Sequence, residues 1–381
     1  VGRRVEGRFV RPLGRRALGF AFATLAALAV VAAGQLVMRA AAWRQGEDPG
    51  RNSTWVRWDA VRYITIARDG YSWVEQDPPA SNTGWFPGYP FLVRLVSRGL
   101  RANPARVGRA VALAFTLAFL VLIWAELLPP APRARRLLAL SVAGFFPGWV
   151  YWHSIFPLSM VIFFTLASLA LGARGLYLAA GSLGALAAFT YPIGVVVVVP
   201  LALLVARDER LSGGGRARAF LTGPVLAGLG LAAVFAVMQA SVGMWDAYQR
   251  FQQQQSGLGL HDPLSVFADR LRLALTRPSS PEFLIGLSAL LTATLLVLAA
   301  VLVLRQPSRP IDDALLVTGA SLFLLLHAAG PDLSIYRPAG GLVCLVPILA
   351  RLGVRPLGVL LLLLVALGYG MSVLFFRNVL V

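Results

Sequence analysis

Residues 17–38 read ALGFAFATLAALAVVAAGQLVM, a run without a charged side chain. A helix of about 20 apolar residues crosses the ~30 Å hydrocarbon core of a bilayer, so the segment predicts a membrane span. Arg3, Arg4, Arg8, Arg11, Arg15 and Arg16 precede it, which is also the layout of a secretory signal peptide. The length of the apolar core favours a retained helix. The rest of the chain has the same character: of 381 residues, 57 % are hydrophobic and 14 % charged, with a mean hydropathy of +0.71. A soluble domain carries about a quarter of its residues as charges.

Further apolar runs fall at 106–128, 136–150, 156–173, 176–190, 192–206, 219–240, 283–304, 313–329, 338–350 and 356–376, which makes eleven with the first. Segment 136–150 and the pair flanking Tyr191-Pro192 are short enough to be re-entrant or half-spanning. The expected fold is an all-α polytopic membrane protein, one domain over 1–381, with about 11 transmembrane helices and interfacial helices in the external loops. Arginines in short loops orient such a chain with the positive side in the cytoplasm. These are the N-terminal group, Arg133/Arg135/Arg136, Arg174, Arg207/Arg210/Arg216/Arg218, Arg305/Arg309 and Arg351/Arg355. With eleven crossings all six groups fall on the cytoplasmic side, leaving external connections at 39–105, 241–282 and 330–337.

The formal charge of +18 would suggest nucleic acid in a soluble protein. Here the arginines sit between apolar runs, where topology and anionic membrane lipids account for them, so no nucleic-acid partner is expected. Every basic residue other than histidine is Arg, and Ala, Gly, Leu and Val abound, a composition typical of a GC-rich bacterial genome. The expected location is the inner (plasma) membrane. Cys344 is the single cysteine and reads as a small buried hydrophobe. The chain has no Gly-rich phosphate loop, no HExxH and no Cys/His metal spacing, so neither metal nor cofactor is expected. Gly213-Gly214-Gly215 reads as a flexible connector.

The chemistry concentrates in the first external connection, at Arg57-Trp58-Asp59-Ala60-Val61-Arg62-Tyr63-Ile64-Thr65-Ile66-Ala67-Arg68-Asp69-Gly70-Tyr71. As a helix over 55–71 this places Val56, Ala60, Tyr63, Ile64 and Ala67 on one face, and Asp59, Arg62 and Asp69 on the other. Such a helix suits the membrane interface, as do Trp55, Trp58, Tyr71, Trp73 and Trp85 at headgroup depth. Spacing alone equally permits a structural helix whose Asp59 is merely paired with Arg62.

Together with Trp85-Phe86-Pro87-Gly88-Tyr89-Pro90, this stretch resembles the RWDA…IA..GY…FFPGFP pattern of the GPI mannosyltransferase II (PIG-V-like) family, in the GT-C superfamily of polyprenyl-phosphate-sugar-dependent glycosyltransferases. The likeness extends thinly over residues 17–350. It implies a GT-C-type helix bundle that retains its first helix, and an inverting sugar transferase with polyprenyl-phosphate mannose as donor. The acceptor would be a glycan, glycolipid or secreted protein hydroxyl on the extracytoplasmic side. It also implies that Asp59 is the general base, a role that typically contributes ~10²–10⁴ in rate. Arginine presents a planar fork that stays charged, and Arg57, Arg62 and Arg337 are the candidates for the donor phosphate.

Further substrate-contact candidates are Trp58, Tyr63, Asp69, Trp85, His153, Tyr191, Trp245, Gln252, Asp332 and Tyr336. His153 lies in the aromatic run 146–159, and an isolated histidine there is as readily structural. Trp245 and Gln252 lie in an aromatic, Gln-rich stretch at 245–255 that also reads as a solvated helix. Arg337 also reads as an arginine snorkelling to headgroups. The chain departs from the family pattern at Leu158, where the family has glutamate, and at Tyr191 and Ile193, where it has arginine and Thr or Asn. Its Tyr336-Arg337 reverses the family's Arg-Tyr. These departures motivate the competing reading, a non-enzymatic polyprenyl-lipid transporter or scaffold that keeps the fold.

Overall fold

The structure, a computed structural model, describes residues 13–77, 80–256, 259–278, 280–330 and 336–380, and these contain helices and no strand. The first long helix, α1 (Leu13–Arg44), is followed by α2 (Ala60–Asp69), α3 (Gly88–Leu100) and α4 (Pro104–Leu122), which continues through a π-helical turn, Ile123–Leu127. Next come α5 (Arg133–Gly144), α6 (Leu158–Gly172), α7 (Tyr177–Thr190) and, after a 3-10 stretch Pro192–Val197, α8 (Val198–Ala206). α9 (Gly213–Phe220), a π-turn Leu221–Val225 and α10 (Leu226–Val242) follow one another directly. They lead to α11 (Ala247–Ser256), α12 (Pro263–Thr276), α13 (Pro281–Arg305) and α14 (Pro310–Ala328). A 3-10 stretch Pro338–Leu345 enters α15 (Val346–Leu349), and α16 (Val354–Phe376) comes last.

Six helices are long and apolar enough to cross a membrane: Ala17–Arg44, Pro104–Leu127, Gly213–Val242, Pro281–Arg305, Pro310–Ala328 and Val354–Phe376. The chain is a multi-pass membrane protein. Its other five apolar runs coincide with helical segments of 12 to 15 residues. At 1.5 Å per α-helical and about 2.0 Å per 3-10 residue these rise about 18–26 Å, less than the ~30 Å core. Pro157, Pro192 and Pro338 stand at or beside the starts of three of them, where a missing N–H is tolerated. One short segment lies wholly inside: every residue of Pro338–Leu349 is buried. The long helices instead turn residues such as Leu25, Leu229 and Leu362 outward, as a lipid-facing surface requires.

The short-loop arginines gather at one end of the bundle. Arg174 pairs with Glu126, Arg207 with Asp313, and both Arg309 and Arg351 with the fully buried Asp312. Arg309 also donates to the Leu127 carbonyl at 2.8 Å, and Tyr177 donates to Asp208 at 2.8 Å. These contacts tie the end of α4 to α6, and join the ends of α8 and α15 to the start of α14. Arg3, Arg4, Arg8 and Arg11 lie outside the described residues. Gly213-Gly214-Gly215 is helical rather than a flexible connector, opening α9 with Gly213 at φ 26°.

Candidate functional site

At the opposite end, Asp59 and Arg337 form an ion pair between residues 278 positions apart. The aspartate stands at the N-cap of α2, a place where its carboxylate would ordinarily accept a backbone N–H. It makes no such cap. The helix starts at Ala60 rather than 55, with Asp59 at its N-cap and Arg62 and Asp69 along it. Trp58, immediately before, has φ 50°, a left-handed conformation that costs a bulky residue on the order of 1–3 kcal/mol. Tertiary packing holds the carboxylate in place.

Arg337 is 4 % exposed. Its guanidinium carbon lies 5.0 Å from the Phe156 ring centre and 5.3 Å from that of Tyr151, within cation–π range. Its Nε is shielded and has no acceptor. Burial opposes the charge, but Asp59 and the surrounding phenols outweigh it and hold the guanidinium well above its ordinary pKa. The Tyr336 and Tyr151 hydroxyls are hydrogen-bonded to one another, and burial pushes Tyr151 up to about 12. Tyr63 packs edge-on against Phe156 at 6.0 Å. Burial, Tyr191 and Asp59 raise its phenol well above the usual range. Tyr191 is near enough to act electrostatically on both Tyr63 and Arg337.

The structure therefore brings Asp59, Tyr63, Tyr191, Tyr336 and Arg337 together, along with Tyr151 and Phe156. The last two were not singled out by the sequence, although they lie in its densest aromatic run. A small apolar recess of about 10 Å³, room for roughly one water, abuts this cluster, with Tyr151, Tyr336, Trp149, Ser288 and Leu367 in its wall. The charged pair thus stands beside an apolar recess.

Other candidates have different surroundings. Arg57 is held by Glu47 at 2.5 Å and donates to the Thr54 carbonyl at 3.0 Å. Arg62 donates to the Ala80 carbonyl and lies 5.5 Å over the Trp85 ring; the ion pair of Asp59 is with Arg337, not the expected Arg62. Asp69 is exposed and paired with its neighbour Arg68. Asp332 lies outside the described residues. His153 is buried against Gly34 and Trp149. Arg109 donates to Gln35 Oε1, and the Gln35 amide nitrogen in turn donates to His153 Nδ1 at 2.8 Å. Burial and the Arg109 charge lower its pKa to about 3, so it is a neutral packing residue against α1.

The connections 39–105 and 241–282 meet. Thr83 donates to the Ala247 carbonyl at 3.3 Å, Gln252 to the Gly84 carbonyl at 3.1 Å, and Trp85 stacks on Phe251 with ring centres 5.2 Å apart. Trp245 is exposed, its ring 6.3 Å from Phe235. Among the described residues no group of three His, Cys, Asp or Glu side chains is placed to hold a metal ion. Compared with known proteins, the chain matches no family model and has no significant match among curated proteins.

Proposed function

We propose that the protein is an integral-membrane inverting glycosyltransferase that moves a sugar, mannose on the resemblance of its first loop, from a polyprenyl-phosphate donor to an acceptor hydroxyl. The observation that carries this reading is the Asp59–Arg337 pair, its arginine shielded, beside a small apolar recess. A carboxylate and an arginine fork are the groups needed to take a hydroxyl proton and to bind a lipid phosphate. In this mechanism the acceptor oxygen attacks the anomeric carbon as its proton passes to Asp59. The new C–O bond forms on the face opposite the departing phosphate oxygen, and polyprenyl phosphate leaves with the bonding electrons, its charge met by Arg337. Tyr63 and Tyr191 would contact the sugar or phosphate.

The same reading takes all eleven apolar runs as crossings, complete or partial, of the inner membrane, with the arginine end cytoplasmic and the Asp59 end extracytoplasmic. The clustering of the short-loop arginines at one end supports it. The test is transfer of labelled mannose from polyprenyl-phosphate mannose in membranes containing the protein, compared with Asp59→Asn. Equal transfer by the two would remove Asp59 as the base. A second reading, a lipid carrier or scaffold, is favoured by Leu158 and Tyr191 in place of the family's charged residues. It would be sustained if the wild type bound the lipid phosphate and transferred no sugar to any acceptor.

A further inference from the structure

Among the described residues, the arginine end contains a cluster with no carboxylate partner. Arg133, Arg135 and Arg136 occupy the first turn of α5. At the same end Arg174, Arg207, Arg210, Arg309 and Arg351 are each paired with a carboxylate; among the described residues no Asp or Glu pairs with these three. Helix polarity makes the placement unfavourable, since an N-terminal turn carries partial positive charge and favours anions. This turn has no acidic residue, and its N-cap, Pro132, provides no side-chain acceptor. The first N–H groups of a helix have no intrahelical partner.

The cluster is also shaped. Arg136 donates to the Trp124 carbonyl, with its guanidinium carbon 4.3 Å from the centre of that indole. Arg133 lies 5.5 Å over the Phe22 ring, which packs on Trp124 at 5.4 Å. Two elements besides α5, namely α1 and the π-turn after α4, thus hold the arginines in place. The Nε atoms of Arg135 and Arg136 are shielded from solvent and have no acceptor. Next to the cluster, α1 turns Leu18 and Leu25 outward, 73 % and 66 % exposed, on the surface that faces acyl chains in a bilayer.

We propose that the start of α5, with Phe22 and Trp124, is a binding site for the phosphate of an anionic phospholipid whose acyl chains lie along α1. Arginine forks and free helix N–H groups are the donors that a phosphate diester takes. The adjoining apolar face distinguishes a lipid from free phosphate, which would use only the charged part. A lipid held here would fix α1 against α5 and the end of α4. This site stands apart from Asp59 and does not depend on the proposed transferase activity.

The full chain, purified in detergent, is titrated with phosphatidylglycerol, phosphatidylcholine and inorganic phosphate, and retained ligand is read by native mass spectrometry. Phosphatidylglycerol should bind in preference to the other two. Arg135→Gln with Arg136→Gln should weaken it by at least ~10-fold, the loss expected from removing charge-assisted hydrogen bonds, while lysine at both positions retains most of the affinity. Arg218→Gln, an exposed arginine at the same end, should change nothing. If the double glutamine variant does not fold, Arg135→Gln alone is the test. Equal affinity for phosphatidylcholine, unchanged affinity in the glutamine variant, or tight competition by inorganic phosphate would each overturn the assignment.

Discussion

Asp59 shows how much a single residue's role depends on which competing partner wins. Locally it is a helix N-cap, and capping would contribute about 1 kcal/mol, yet its carboxylate turns to a nearly buried arginine instead. That choice makes Arg337 a shared partner in the proposed mechanism, held by Asp59 in the free protein and called on by the donor phosphate. Asp59→Asn should therefore have two opposite effects: turnover falls by ~10² or more through loss of the base, and affinity for a polyprenyl phosphate rises because the arginine is released. Stopped-flow or equilibrium binding beside the mannose-transfer assay separates them; weaker binding in the asparagine variant would show that the carboxylate supports the phosphate site. Arg337→Ala should lose ~1.5–3 kcal/mol of lipid-phosphate binding, with Arg337→Lys in between, both measurable by the same titration.

At the scale of elements, two contacts decide whether short helices can serve as walls of a site. Gly148 has φ 88°, and a Cβ there would fall 2.8 Å from Gly340 N and 2.9 Å from the Arg337 carbonyl. Gly148→Ala should cost about 1–3 kcal/mol in strain and, by pushing back the segment that carries Arg337, abolish lipid-phosphate binding. Gly243→Ala, at φ 75° but with open space around it, should cost only the strain and leave binding intact. Thermal melting and ligand titration of both variants test the contrast. At the other end Asp312 pairs with two arginines from different elements. Asp312→Asn leaves that charge uncompensated, a change expected to cost about 3–5 kcal/mol and to appear as a marked drop in melting temperature.

For the whole molecule, the alternation of chain direction between an arginine end and an Asp59 end makes topology a direct measurement. In a Cys344→Ser background, a cysteine at Gln76, exposed in the first external connection, should react with an impermeant maleimide in intact cells. A cysteine at Ala217, exposed at the arginine end, should react only after permeabilisation. The opposite pattern would invert the orientation and place the proposed chemistry on the cytoplasmic side.

Membrane residence, the positions of eleven apolar runs and the loop that carries the carboxylate were readable from the sequence. Hydrophobicity accumulates along the chain, and positive charge marks loops wherever it lies. Length in residues marked 136–150 and the pair flanking Tyr191-Pro192 as short, but not 156–173 or 338–350, and only the folded chain separates six long spans from five short helical segments. Nor could spacing choose between Arg62 and Arg337 as the partner of Asp59, or remove His153 from the site. Those outcomes depend on contacts across 278 and 118 positions. An ion pair or a buried imidazole is selected by distance in space and by desolvation, and neither quantity exists until the helices have packed.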